Sequence, residues 1–391
     1  MCFCVDMHIP DSVKHLTDLY PFAPEHRKIS GEYYINREMS TMTPFLQRWS
    51  DVNGGKKMHD FTGLVCTLYD KEKYNVHWRL LKFYIEHGVE ITQVYFGVSF
   101  NEGEYLAGYI RKNIEIRNTR KDELGKTLYK LLGNSIYGKT FESPFKRNTY
   151  RIIRDPVQLS GLMVEGSISS LLPIDEYGWI VKMDGDEIIL DKPTYIGACV
   201  CEFAKLHMYT LLYDKLKKIF PDINGEPGCE MVYTDTDSFI LRVRHPTPDI
   251  HTPRELFNYI HEKDPELIGG IGGQVKSETG EDDTIKEIIA LRAKCYAYET
   301  LKGNYSGHAK GTSYDAQAAQ LGMDIYREVF GSLKSFDTHN TQFVRSLFKV
   351  STIDAVRQSL SVNDGKRYIC KDGVHTHAFG YPIDEDKGIN I

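Results

Sequence analysis

Tyr233-Thr234-Asp235-Thr236-Asp237-Ser238 places two carboxylates one residue apart, between the apolar runs Met231 to Tyr233 and Phe239 to Val243. The flanks read as strands and the Asp, Thr and Ser between them as turn residues, so a β-hairpin tip is predicted. Both carboxylates would then project into one small volume, where like charges repel unless a divalent cation neutralises them. Phosphoryl and nucleotidyl transfer need such a pair, because two Mg2+ ions roughly 3.5–4 Å apart hold the attacking oxygen, the transferred phosphorus and the leaving group in line. Asp-x-Asp is also ordinary solvated turn chemistry, so its surroundings decide.

A second set of chemical side chains lies upstream, on elements read as two helices, Tyr105 to Asn118 and Lys121 to Tyr137, the latter stopped by Gly138. Spacings of four, four and three put Lys126, Lys130, Asn134 and Tyr137 on one face of the second helix. Leu124, Leu128, Leu132 and Ile136 form another face, apolar and suited to packing. The polar face could grip a triphosphate and set a ring against a sugar or base; the plain alternative is the polar outer side of an amphipathic helix. Ten basic residues stand against four acidic ones between Arg111 and Arg147, a local excess of +6 in a chain of net charge −6, which marks an anion-binding face or a solvated helix. Downstream, Lys286 to Thr300 reads as one strand whose period of two puts Lys294 and Tyr296 on the same side, the alternative being an ordinary half-buried strand.

These elements sit in a chain of 391 residues, 41% hydrophobic and 26% charged, enough for two or three domains with an ample core. No window has the length of apolar residues that a membrane span needs, and the N-terminus lacks a secretory pattern, so a cytosolic or nuclear, non-secreted protein is expected. Cys2-x-Cys4 and Cys199-x-Cys201 fit no structural zinc spacing, and reduced thiols are expected for all eight cysteines. Residues 1 to about 70 show little regular structure beyond the apolar piece Cys2 to Val5. Thereafter the patterns give a helix from His77 to His87 closed by Gly88, strands at Val89 to Phe100 and Tyr150 to Ile153, and a hairpin from Trp179 to Leu190 turning at Asp184-Gly185. A long helix from Thr194 to Phe220 follows. Later come helices at Leu256 to His261 and Ala316 to Phe330, a glycine-rich loop at Gly269 to Gly273 that lacks a dinucleotide-binding context, and a β-rich last sixty residues, with strands at Gln342 to Val350, Gln358 to Val362, Lys366 to Ile369 and Val374 to Phe379.

Two strings resemble motifs of family B DNA polymerases, in that family's order: Lys130 to Gly138 is similar to K-x3-N-S-x-Y-G, and Tyr233 to Ser238 to Y-x-D-T-D-S. Lys294-x-Tyr296 resembles the K-x-Y motif that follows them. Asp18-Leu19-Tyr20-Pro21 with Ala23-Pro24-Glu25, Leu68-Tyr69-Asp70-Lys71 with Tyr74, and Asp364 to Tyr368 resemble the protein-primed enzymes of Polinton (Maverick) transposons and related viruses, so the likeness covers the whole chain. The resemblance implies an α+β right-hand polymerase of palm, fingers and thumb. It implies a palm-proximal segment with a first insertion over 1–100, fingers over 101–140, a second insertion over 141–192, the palm over 193–305 and the thumb over 306–391. It further implies Asp235 and Asp237 as catalytic ligands of Mg2+, and Lys130, Asn134 and Tyr137 around the nucleotide, with Lys126 beside them. Lys294 and Tyr296 would hold the primer terminus, and Arg117, Arg120 and Lys121 would contact phosphates. The implied partners are primer–template DNA, deoxynucleoside triphosphates and a terminal protein, with no membrane.

One departure stands against these matches. The family supplies a further carboxylate from an earlier motif, D-x2-S-L-Y-P, and Asp18 to Pro21 would put His15 where that Asp belongs. The run is therefore read as a decoy, with the first palm motif and the proofreading exonuclease domain both lacking, and Asp6 as the one local substitute. A chain of reduced or no activity alone is expected. The rivals are a non-catalytic DNA-binding remnant of a mobile element or virus and, lower, a metal-dependent nuclease.

Overall fold

The computed structural model describes residues 1–31, 39–40, 42–144, 149–176, 178–183, 189–244, 250–269, 273–345 and 350–382. The chain is mixed α+β and divides into two compact units, one formed by 1–98 with 205–391 and the other by 99–204.

The first unit opens on β1 (Cys2–His8), α1 (Asp11–Thr17), β2 (Glu25–Ser30), β3 (Met39–Ser40), α2 (Pro44–Val52), β4 (Phe61–Val65), β5 (Lys71–His77), α3 (Trp78–Glu86) and β6 (Glu90–Val98). β1 is the middle strand of an antiparallel sheet ordered β5-β1-β6, and a second sheet is ordered β3-β2-β4. The expectation of little regular structure before residue 70 is thus corrected. β1 escapes a period-two reading because two register shifts against β6 interrupt its pairing. α3 ends as the sequence predicts, at Gly88, whose φ of 94° only glycine adopts at no steric cost.

The unit formed by 99–204 holds α4 (Ala107–Thr119), α5 (Glu123–Thr140), β7 (Thr149–Ile153), α6 (Pro156–Val164), β8 (Ile168–Asp175) and β9 (Gly178–Met183), and takes in most of α7 (Thr194–Tyr209). α4 and α5 pack as a hairpin, and α5 begins at an Asp122 cap that accepts from the Gly125 amide at 2.6 Å. Two expectations fail here. Gly138 does not stop α5, because its two following residues keep helical bonds and Phe141 closes the helix instead. The leucine face is not packed: Leu124 is 81% and Leu128 49% exposed, since a two-helix hairpin offers α5 one packing partner. The Trp179 strand turns back onto β8 and β7 in a sheet ordered β7-β9-β8; the proposed turn at Asp184-Gly185 lies outside the described residues, as do Lys146 and Arg147 of the basic stretch.

Past α7 the backbone runs through a π-helical stretch, Thr210–Leu216, into α8 (Lys217–Ile219), so the predicted single α-helix is three pieces of one rod. Then follow β10 (Cys229–Asp235), β11 (Ser238–Val243), α9 (Pro253–Lys263), β12 (Ile285–Arg292), β13 (Cys295–Thr300), β14 (Tyr305–Ala309), α10 (Tyr314–Gln320), α11 (Met323–Ser332), β15 (Phe336–Arg345), β16 (Val350–Leu360), β17 (Tyr368–Ile369) and β18 (Thr376–His377). The Lys286–Thr300 strand is corrected to a hairpin, with β12 and β13 paired through Arg292 and Cys295 across Ala293-Lys294. The 316–330 helix is two helices, parted where Leu321 goes extended ahead of Gly322. Gly270 to Gly272, the middle of the glycine-rich loop, lie outside the described residues.

Among the described residues two large cores carry this unit, beside a small one of Ile29, Val65 and Phe379. One joins β1, α1 and α3 to the α7–α8 rod and β10 through Phe22, Tyr84, Tyr209 and Tyr213, whose rings meet at centroid distances such as 5.2 Å for Phe22–Tyr209. The other joins α2 to the β12-β13-β14 sheet, α11 and β16 through Trp49, Leu291, Ala297 and Tyr326.

The Asp18–Pro21 run has a structural role. Tyr213 and Tyr209 donate their hydroxyls to the Tyr20 and Pro21 carbonyls, each at 2.8 Å. Asp18, its side chain 12% exposed, accepts from His377 Nδ1 at 2.6 Å, from the Ala378 amide at 2.7 Å and from Arg367 Nη2 at 3.4 Å. Removing that carboxylate leaves the Ala378 amide without its acceptor and takes the compensating charge from the mostly buried Arg367, which keeps its bonds to Thr376 and to the Asp18 carbonyl. Asp18→Ala is therefore expected to lower stability by about 3 kcal/mol, read by urea denaturation, while Asp11→Ala on the exposed start of α1 changes it by less than about 0.5 kcal/mol.

Candidate functional site

The carboxylate pair sits where the sequence puts it. β10 and β11 pair from Cys229–Val243 to Asp235–Ser238, leaving Thr236 and Asp237 as a two-residue loop. Thr236 is held at φ 60°, a backbone region that tight hairpin loops give to glycine and that a β-branched residue enters only under strain. Local bonds hold it there: the Asp237 amide donates to the Asp235 carbonyl at 2.7 Å, Ser238 Oγ donates to the same carbonyl at 3.2 Å, and Thr236 Oγ1 donates to Asp235 Oδ1 at 3.0 Å. Asp235 is half-buried and Asp237 exposed. Among the described residues the Asp237 carboxylate has no hydrogen-bond or ion-pair partner.

The second hairpin brings Lys294 onto Asp235. Its ammonium donates to both carboxylate oxygens, at 2.5 and 2.7 Å. The shared-face argument for Lys294 and Tyr296 is corrected: Lys294 is a turn residue at φ 59°, and Tyr296 is the second residue of β13. They serve one site by different routes. The Lys294 amide donates to the Tyr233 hydroxyl at 2.7 Å, and the Tyr233 ring packs on Tyr296 at 4.3 Å, which stacks on His308 at 4.6 Å. Two separate two- and three-stranded sheets are thereby stitched tip to tip, with a strained non-glycine residue on each side of the ion pair.

The electrostatics follow from this packing. Burial works against ionisation of Asp235, but the hydrogen bonds from Lys294 and Thr236 outweigh it and hold the carboxyl below its ordinary range. Burial, with a smaller push from Tyr233, raises the Tyr296 phenol to about 12, so it stays neutral. Next to this site is a cluster that sequence reasoning missed. Burial raises the Asp364 carboxyl, against the pull of Lys366, Arg367 and Arg292, and Arg292 Nε and Asn363 Oδ1 are buried without a hydrogen-bond partner. Nothing in the Asp364-Gly365-Lys366 string signals burial, because its residue types are those of a surface turn.

Asp6, the candidate substitute for the missing carboxylate, lies on β1. Its oxygens accept from the Lys73 amide at 2.6 Å and the Tyr95 hydroxyl at 2.8 Å, on the two strands that flank β1. Among the described residues no three His, Cys, Asp or Glu side chains converge as a metal-binding group.

The lysine helix belongs to the unit formed by 99–204 and stands by itself. Lys126, Lys130, Asn134 and Tyr137 follow one another along α5 as the spacing requires. Lys126 pairs with Glu123 at 2.6 Å, and Tyr137 shares a hydrogen bond with the Cys201 thiol at 2.9 Å, which with burial lifts its phenol to about 12. Arg120 lies over the Tyr129 ring at 5.7 Å. Lys130 and Asn134 are exposed. Five cations of the basic stretch have nearby carboxylates, among them Arg111 with Glu104 and Lys139 with Glu142, and such exposed pairs exchange readily for a phosphate. Among the described residues Arg117, Lys121 and Lys130 have no carboxylate partner. No disulfide joins any of the eight cysteines, and no helix among the described residues is long and apolar enough to cross a membrane.

Compared with family models, curated proteins and solved structures, the chain matches none.

The Asp235–Lys294 contact has a defined pH signature. Because the folded carboxyl titrates below the ordinary 3.8, the pair contributes fully above that value and loses its contribution as pH falls through the folded value. Asp235→Asn is expected to cost less than about 1 kcal/mol at neutral pH, as the pair is partly exposed, and the difference in urea midpoint from the parent chain should close on acidification below 3.8. Tyr233→Phe, which takes away the acceptor of the Lys294 amide, should cost about 1 kcal/mol at every pH.

Proposed function

We propose that this chain is the polymerase portion of a protein-primed family B DNA polymerase, of right-hand palm, fingers and thumb architecture. Its reaction is attack of a primer 3′-hydroxyl on the α-phosphate of a deoxynucleoside triphosphate. The observation that carries the reading is the hairpin tip: Asp235 and Asp237 lie on either side of one strained residue, with Lys294 from a second hairpin on Asp235. Carboxylate oxygens of this kind are hard donors and fit Mg2+, which when bound neutralises phosphate charge and orients the attacking oxygen. Asp235 and Asp237 would hold it. Lys130, with Lys126, Arg117 and Arg120, supplies cations for the triphosphate and strand phosphates; Asn134 and Tyr137 border the nucleotide; Lys294 and Tyr296 hold the primer end.

One observation favours a second reading, a DNA-binding remnant without turnover. Both oxygens of Asp235 are already engaged by a lysine of the same chain, so the protein neutralises part of its own carboxylate pair.

Primer extension with Mg2+ and all four deoxynucleotides tests turnover by this chain. Under the first reading the parent chain extends the primer and Asp237→Ala is slower by more than about a hundredfold, since even outer-shell losses at metal sites cost 10–100-fold. Lys130→Ala should mainly raise the KM for nucleotide, by about tenfold. Duplex binding with no extension by either protein means that this chain alone does not turn over, as a remnant or as a polymerase lacking its first motif.

A further inference from the structure

We propose that Lys294 is a built-in counter-cation that occupies Asp235 until a divalent cation displaces it, so that cation binding and release of the Lys294 ammonium are one event. The inference rests on the reading of Asp235 and Asp237 as cation ligands and adds to it a competitor within the chain.

Geometry sets the competition. The ammonium contacts both Asp235 oxygens, at 2.5 and 2.7 Å. A small divalent cation needs one of those oxygens at roughly 2.0–2.1 Å, which would bring two positive centres against the same carboxylate and repel the lysine. Asp237, one residue on and without a partner among the described residues, offers the point of first contact. With Lys294 in place the tip carries one net negative charge, and with it withdrawn, two, the charge that matches a divalent cation.

The backbone of Lys294 is fixed while its side chain is not. Its amide is bound to the Tyr233 hydroxyl at 2.7 Å, its carbonyl accepts from the Lys310 amide at 3.1 Å, and Tyr296 next to it is stacked between Tyr233 and His308. The side chain is 48% exposed, so its four-carbon stem can swing to solvent with no movement of either hairpin. The released ammonium stays tethered within reach of the site, where it meets the phosphate of a bound strand. Linkage makes the coupling mutual: whatever draws Lys294 from Asp235 raises cation affinity by the factor with which the cation raises affinity for that group.

The test is Mn2+ titration of the whole chain without nucleic acid, followed by the electron paramagnetic resonance signal of free Mn2+, with circular dichroism melts to show that each variant is folded. Lys294→Met is expected to bind Mn2+ about tenfold tighter than the parent, the side chain's partial exposure limiting the gain. Lys294→Arg, which keeps the cation, should stay within about twofold. Asp237→Asn should weaken binding in both the parent and the Lys294→Met background. If Lys294→Met binds no tighter while Asp237→Asn still weakens binding, the counter-cation role is overturned and the ligand reading stands. If Asp237→Asn leaves binding unchanged, the ligand reading falls, and the counter-cation role with it.

Discussion

Two carboxylates one residue apart at a tight turn repel each other, and the first unit offsets one of them, Asp235, with the ammonium of Lys294 from a second hairpin. The turn between the carboxylates strains Thr236. The second hairpin's own turn residue, Lys294, is equally strained and delivers the opposite charge. That hairpin is in turn held by a core: Leu291, Cys295 and Ala297 face Tyr326 and Val329 of α11 and the α2 residues Phe45 and Trp49. Strain at two loop positions persists because the layers beneath over-determine it. A polar site is thus supported by an apolar one, with the Tyr233–Tyr296–His308 stack as the joint between them.

The chemistry was easier to read from the sequence than its scaffold. Residue types and spacing located the Asp235–Asp237 turn and the α5 face because both are local: a period of two or of 3.6 and a cluster of turn formers. The β12–β13 turn was missed because Ala293-Lys294 holds no Gly, Asn, Asp or Pro, so nothing distinguishes it from continuous strand. β1 was missed because its register shifts break the alternation that reveals a strand. The π-helical stretch at 210–216 carries no local signal of its own, and the tyrosines at and beside it, Tyr213 and Tyr209, bond to carbonyls almost two hundred positions away. Exposure of Leu124 and Leu128 shows the complementary failure: a periodic apolar face marks a helix but does not say what covers it.

The run at Asp18–Pro21 shows how a string can look chemical and act structurally. Its carboxylate is consumed by Arg367, His377 and the Ala378 amide, and its carbonyls by tyrosines of the helical rod. Three hydrogen bonds and a side chain only 12% exposed fit that aspartate for holding the C-terminal strands rather than a substrate. Asp6, by contrast, spends one bond from each oxygen on the strands either side of it, the Lys73 amide on β5 and the Tyr95 hydroxyl on β6.

That clamp between residue 18 and residues 367–378 also sets an order of events during synthesis. A chain emerging from the ribosome presents 1–98 first, but the rod that covers β1 and the partners of Asp18 are still untranslated. The 99–204 unit, contiguous in sequence, can be complete while its neighbours on either side are not. The first unit therefore waits, with Phe22, Tyr84 and part of its sheet uncovered, until residue 378 has left the exit tunnel. In the interval the exposed aromatic surface is a natural client for chaperones.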